Sequence, residues 1–161
     1  MARNACSPDN GLDVEAVQGW LEYELAKLKL AAGRLVAAYF EEGRERSYSQ
    51  KIWPRLKDYN GRSFYVIWCR KDYVNPKRGI VRTSHISRGQ GSYRRRLSQV
   101  CRHLEDGEKG FVLGYEEKFQ AVRQRAELLA AMLAQLERYR QLQEKEEKNI
   151  VFGDAGGGEI C

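Results

Sequence analysis

Apolar residues recur at steps of three and four along the first part of the chain. Val14, Val17, Leu21, Leu25, Leu28, Ala32, Leu35 and Tyr39 fall on one stripe of a helix over residues 13–42. Asp13 is placed to cap its start, and acids fill its first turn, where the helix dipole favours them. At 1.5 Å per residue such a helix is a rod of about 45 Å. Gly43 follows the last periodic positions and is the expected terminator. The same spacing returns late in the chain at Phe119, Val122, Ala126, Leu129, Leu133 and Leu136, predicting a second helix over residues 115–147 that is rich in strong helix formers. Two apolar seams of similar length satisfy each other as an antiparallel helical hairpin or short coiled coil. A seam this narrow can also close between two copies of the chain, so a homodimer stays open.

Between the two seams the period changes. SFYVIWCRKDY is β-branched and aromatic, NPKRG has turn chemistry at Asn75, Pro76 and Gly79, and IVRTSHIS alternates again. This predicts a β-hairpin. From Tyr93 to about Leu104 the positions Leu97, Val100, Cys101 and Leu104 share a face, predicting a short helix that covers one side of the hairpin. The expected fold class is therefore α+β: two long antiparallel helices with an inserted β-hairpin and short helix. The expected organisation is a flexible tail at 1–12, one domain at 13–147 with a basic insert at 44–104, and a flexible tail at 148–161.

Charge sharpens this division. The 161 residues carry a net +6, which by itself indicates only an affinity for acidic partners. Sixteen bases face three acids between Arg44 and His103, a balance of +13; the flanks keep twelve bases and nineteen acids, a balance of −7. A basic working module on an acidic support is the implied design. Within it, HISRGQGSYRRRLSQ places Arg94, Arg95 and Arg96 in the first turn of the short helix, where cations oppose the dipole. Something other than helix stability favours them, and nucleic-acid phosphate is the leading candidate.

Catalytic constellations are missing from the pattern. Only His85 and His103 occur, in no metal-binding spacing, and Cys6, Cys69, Cys101 and Cys161 are scattered without a CxxC pair. RGQGS lacks the GK[ST] ending of a phosphate loop, and no GxSxG is present. A tyrosine nucleophile could come from Tyr65, Tyr73 or Tyr93, but no histidine cluster accompanies them to hold a catalytic metal. The expectation is a protein with no catalytic residues, no metal and no cofactor. With no apolar run of membrane length or secretory leader pattern, it is expected in the reduced cytoplasm, away from membranes.

The candidate nucleic-acid-binding residues are Arg62, Arg70, Lys71, Lys77, Arg78, Arg82, Arg88, Gly89, Gln90, Gly91, Ser92, Tyr93, Arg94, Arg95 and Arg96. A ribbon or helix fits the major groove of duplex DNA, and glycine amides approach phosphates closely. Arg88, Gly89, Gly91, Ser92 and Arg94 to Arg96 are assigned to phosphates, with Gln90 or strand residues such as Arg82 reaching base edges. Tyr65, Trp68, Tyr73 and Tyr93 interleave with the cations and also suit stacking on unpaired bases, although core and strand filling is the better account of Trp68 and Phe64.

Three quoted segments also carry a resemblance. An aromatic strand with Trp68, a loop I-x-[RK]-G-x-G-x-Y at Ile86, Arg88, Gly89, Gly91 and Tyr93, and a helix start E-x-[KR]-F-x-x-[VIL]-R at Glu116, Lys118, Phe119, Val122 and Arg123 occur in this order behind an amphipathic helix. Over residues 13–142 the chain resembles the MobI-like family of conjugative-transfer accessory proteins. The resemblance implies a non-catalytic role at an origin of transfer, with double-stranded DNA and a relaxase or other transfer protein as partners. The rival expectation is a protein-interaction adaptor, or an RNA-binding protein, using the same basic insert.

Overall fold

The computed structural model describes residues 13–59, 63–89 and 92–153. The first helix, α1 (Val14–Glu45), begins as its sequence dictates: the Asp13 carboxylate accepts the Ala16 amide at 3.0 Å. Leu21, Leu25, Leu28, Ala32 and Tyr39 of the expected stripe are buried. Its end differs from expectation. The helix runs through Gly43, and Ser47, with φ +57°, takes the left-handed position beyond the C-cap Arg46. Gly43 leaves room for the Gln50 side chain: a Cβ there would lie 2.7 Å from the Gln50 Nε2, which donates to the Phe40 carbonyl at 2.9 Å, so a larger residue would displace that amide.

Three strands follow as an antiparallel sheet in the order β1 (Ile52–Tyr59), β2 (Ser63–Asn75), β3 (Ile80–His85). The expected hairpin is β2 and β3, joined through a 3₁₀ turn at Pro76–Arg78 and Gly79 at φ +65°, with the Asn75 side chain accepting the Arg78 amide at 3.2 Å. The insert is nevertheless a three-stranded sheet and not a hairpin alone. β1 pairs along β2 from Tyr59↔Ser63 to Ile52↔Arg70, and its Pro54 is tolerated because β1 is an edge strand. β2 outruns β1, so apart from the Lys71 amide, which donates to the Lys51 carbonyl at 2.9 Å, residues 71–75 pair with β3 only and form a two-stranded ribbon.

The last helix, α3 (Asp106–Gly153), starts well before the expected residue 115 and passes through Gly107, Gly110 and Gly114. Tertiary packing overrides their poor propensity. Val112, Tyr115, Phe119, Val122, Ala126 and Leu129 are buried along one side, and Gly107 lets Tyr48 approach, its Oη 3.2 Å from where a Cβ would stand. The helix also extends beyond residue 147, into the stretch expected to be tail; residues 1–12 and 154–161 of the expected tails lie outside the described residues. Contacts between α1 and α3 pair Gln18 with Arg140 at 3.1 Å, Glu24 with Arg125 at 3.4 Å and the Tyr39 and Tyr115 rings at 5.2 Å.

Between these helices and one face of the sheet lies an aromatic core. Tyr39 meets Trp68, Phe111 and Tyr115, Trp68 meets Phe119 edge-on at 5.8 Å, and the Tyr39 hydroxyl donates to the Ile52 carbonyl at 2.5 Å. The short helix α2 (Arg94–Val100) and a 3₁₀ turn at Cys101–His103 insert Leu97 and Cys101 into it. Instead of covering the hairpin as expected, α2 packs chiefly on α3, its buried Leu97 and the Cys101 that follows it joining the same core as the buried side of that helix. Among the described residues the architecture is α+β, with three α-helices and one antiparallel sheet.

Candidate nucleic-acid interface

The segment between β3 and α2 is held by a buried polar node. Glu116 on α3 accepts the Trp68 Nε1–H at 2.7 Å through one oxygen. Its other oxygen accepts the Tyr93 amide at 3.1 Å and the guanidinium of Arg123. Arg123 also donates to the Val66 carbonyl at 3.3 Å and lies 4.8 Å above the Tyr93 ring. Glu116 and Arg123 are 0% and 3% exposed, so charge pairing and hydrogen bonding here replace water almost completely. At the other end of the segment the Ile86 amide donates to the Trp68 carbonyl at 2.8 Å. The segment is thereby fixed to β2 and α3 at both ends.

Trp68, Tyr93, Glu116 and Arg123, drawn from three separate motifs of the sequence, thus meet at one point. They form the frame of the basic module and not its contact surface. Tyr93 is 5% exposed, and burial raises its phenol above the ordinary range while Arg123 and Arg88 pull it back. Its expected role on nucleic acid is corrected on that ground: the ring is enclosed between the core and Arg123. Trp68, at 0% exposure, is likewise core.

The remaining expected residues divide among three settings. On the ribbon, Lys71, Lys77, Arg78 and Arg82 are exposed, and Lys71 lies 5.9 Å from the Trp53 ring. Arg70 is exposed but pairs with Asp72 at 3.0 Å, and Asp72 also accepts Ser84. In the loop, Arg88 pairs with Glu127 of α3 at 2.5 Å and Gly89 is exposed. Ser92 is half-buried, its Oγ accepting the Arg94 amide at 3.0 Å. Arg62, Gln90 and Gly91 lie outside the described residues. At the start of α2, Arg94 pairs with Glu117 at 2.5 Å, while Arg95 and Arg96 are exposed and make no ion pair among the described residues.

The basic residues therefore do not act as one undivided patch. Arg88 and Arg94 are partly neutralised by α3 acids, whereas the ribbon tip extends about 20 Å along β2 from Trp68 and the node. Both faces of the ribbon are open, and it carries four cations, Lys71, Lys77, Arg78 and Arg82, against the single acid Asp72. That is the shape and charge of an element able to enter a groove lined by phosphates. Sequence reasoning missed the acids Glu117 and Glu127, which are remote in sequence from the arginines they meet. It also missed the buried pair, although Glu116, Phe119, Arg123 and Ala126 share one helical stripe by spacing.

Among the described residues no group of three or more histidine, cysteine, aspartate or glutamate side chains could hold a metal ion, and no helix is long and apolar enough to cross a membrane. Searches of curated proteins and of solved structures return no match. A family model described as MobI protein matches residues 28–137, which run from α1 through the sheet and the Glu116 node into α3.

Proposed function

The chain belongs to the MobI family and is thus a protein related to conjugative transfer; from that premise we propose that it is a non-catalytic DNA-binding accessory factor of the cytoplasm. It binds duplex DNA at an origin of transfer and helps to recruit a relaxase or another transfer protein. The observation that carries this reading is the β2–β3 ribbon, whose Lys71, Lys77, Arg78 and Arg82 stand in solvent beyond the edge of β1. The ribbon enters the major groove, where Arg82 is positioned on a strand to meet base edges. Arg95 and Arg96 hold flanking phosphates. The α1–α3 pair acts as an antiparallel support that presents the sheet.

Electrostatics gives the reading a magnitude. Six phosphates neutralised by these six side chains correspond to a salt slope of about −5, or about three decades of affinity between roughly 50 and 200 mM salt. The test is fluorescence anisotropy with duplex from the origin of the element that encodes the protein, against a scrambled duplex, across that range. The origin duplex is expected to bind more tightly than the scrambled one, with a steep slope for both. Failure to bind either duplex at the lower salt would overturn the reading and leave the adaptor role, in which the same cations face an acidic protein.

A further inference from the structure

The strand register creates a second surface, which shares only Lys71 and Tyr73 with the ribbon. Residues opposite one another in a ladder point to the same face. Ile52, Pro54, Phe64, Val66 and Trp68 fill the helix side and are buried. The alternate positions Arg55, Lys57, Tyr59, Tyr65, Lys71 and Tyr73 stand on the opposite face, linked by the pairing Lys57↔Tyr65. On that face Tyr59 is 55%, Tyr65 37% and Tyr73 54% exposed and the three cations are exposed as well, above a floor in which Trp53 and Ile67 are half-buried and Cys69 is buried. No carboxylate of the described strands shares it. The sheet's acids fall on the helix side, where Asp58 meets Lys29 at 2.5 Å and Asp72 meets Arg70 at 3.0 Å.

We propose that this open sheet face is a binding site for single-stranded DNA, with Tyr59, Tyr65 and Tyr73 stacking on bases and Arg55, Lys57 and Lys71 holding the phosphates between them. Exposed rings interleaved with cations on an acid-free surface match the two parts of a single strand, its π-faces and its charged backbone. A duplex does not fit this chemistry, because its base faces are hidden in the stack. Tyr59 and Tyr65 meet edge to face at 5.9 Å, a contact that leaves ring surface free for a base. From Tyr65 to Tyr73 is about 27 Å along β2, room for roughly four nucleotides. The inference rests on the proposed role at DNA for its choice of DNA over RNA; the geometry of the face is independent of that role.

The experiment is anisotropy of the full chain with a labelled oligothymidine of about 12 nucleotides, the matching oligouridine and a duplex of the same length. The double variant Tyr59→Ala/Tyr65→Ala is expected to weaken oligothymidine binding about tenfold or more while leaving the duplex within about twofold. Tyr59→Phe/Tyr65→Phe keeps the π-faces and should bind as the parent does. The ribbon variant Lys77→Ala/Arg78→Ala should behave oppositely, losing duplex and keeping oligothymidine. Should the alanine pair destabilise the sheet, Lys57→Glu at an exposed position carries the same test and should lose about tenfold on oligothymidine. Unchanged oligothymidine affinity in the folded alanine or glutamate variants overturns the proposal, as does parallel loss of both DNA forms or oligouridine bound about tenfold more tightly. A parent that binds oligothymidine but no duplex refutes the ribbon reading and leaves this one standing.

Discussion

Replacing Glu116 with glutamine tests the frame of the basic module most sharply. The carboxylate accepts from Trp68 Nε1 at 2.7 Å, from the Tyr93 amide at 3.1 Å and from Arg123, and the Glu116 and Arg123 side chains are 1% and 2% exposed. Glutamine keeps the volume but supplies only one acceptor oxygen. Whichever way its amide is turned, an N–H then faces either the indole N–H or the guanidinium, and one donor is left without a partner. Arg123 meanwhile keeps its charge with no counter-charge, and its Nε already has no partner among the described residues. Breaking a buried pair from one side costs about 3–5 kcal/mol, or a melting point roughly 10 °C lower for a chain of this size. Urea unfolding with an unchanged slope would measure the loss, and hydrogen exchange at the Tyr93 amide would locate it. The double variant Glu116→Leu/Arg123→Met removes both charges and should recover much of the stability. A Glu116→Gln protein within about 1 kcal/mol of the parent, with Tyr93 still protected, refutes the claim that one carboxylate serves all three donors.

Other expectations follow from burial and backbone. Leu129, 7% exposed, should cost about 2–4 kcal/mol as Leu129→Ala, and half-buried Leu133 clearly less, in parallel urea titrations; equal losses would show that the seam is covered evenly. A Cβ at Gly110 or Gly114 meets nothing within 4 Å, so each glycine-to-alanine change should raise stability by up to about 1 kcal/mol, and a lower melting point would contradict α3 continuing through this stretch. Burial pushes the Cys101 thiol from 9.0 up to about 11, with Glu108 adding and Lys109 opposing. The fold therefore favours the neutral thiol: stability from this group is intact below about pH 9 and falls as pH rises through 11, by at most about 2.7 kcal/mol. Unfolding measured from pH 8 to 11 should show that decline in the parent and a flatter profile in Cys101→Ala.

Both long stripes were legible in the sequence because each repeats its spacing over many turns, and the β2–β3 ribbon because its strands are aromatic and β-branched around a turn with Asn75 and Gly79. Strand β1 was hidden by Pro54 and by charges that read as loop, though Trp53, Arg55, Lys57 and Tyr59 do alternate. The first turns of α3 were hidden by three glycines whose cost is offset by the burial of Val112 and Tyr115. Counting charge assigned the excess of cations to residues 44–103 but could not say which of them meet acids. Arg88 and Arg94 meet glutamates that only the fold brings near, and Gly43, read as a left-handed terminator, answers to the Gln50 side chain several residues later.

The central claim is that the β2–β3 ribbon is the element that grips duplex phosphate. It is tested most directly by the salt dependence of origin-duplex affinity for the parent and for Lys77→Ala/Arg78→Ala/Arg82→Ala, whose side chains are exposed and whose loss leaves the core untouched. The account predicts weaker binding and a log–log slope shallower by about 2 to 3, because each lost phosphate contact removes about 0.9. An unchanged slope and affinity in the folded triple variant would contradict it.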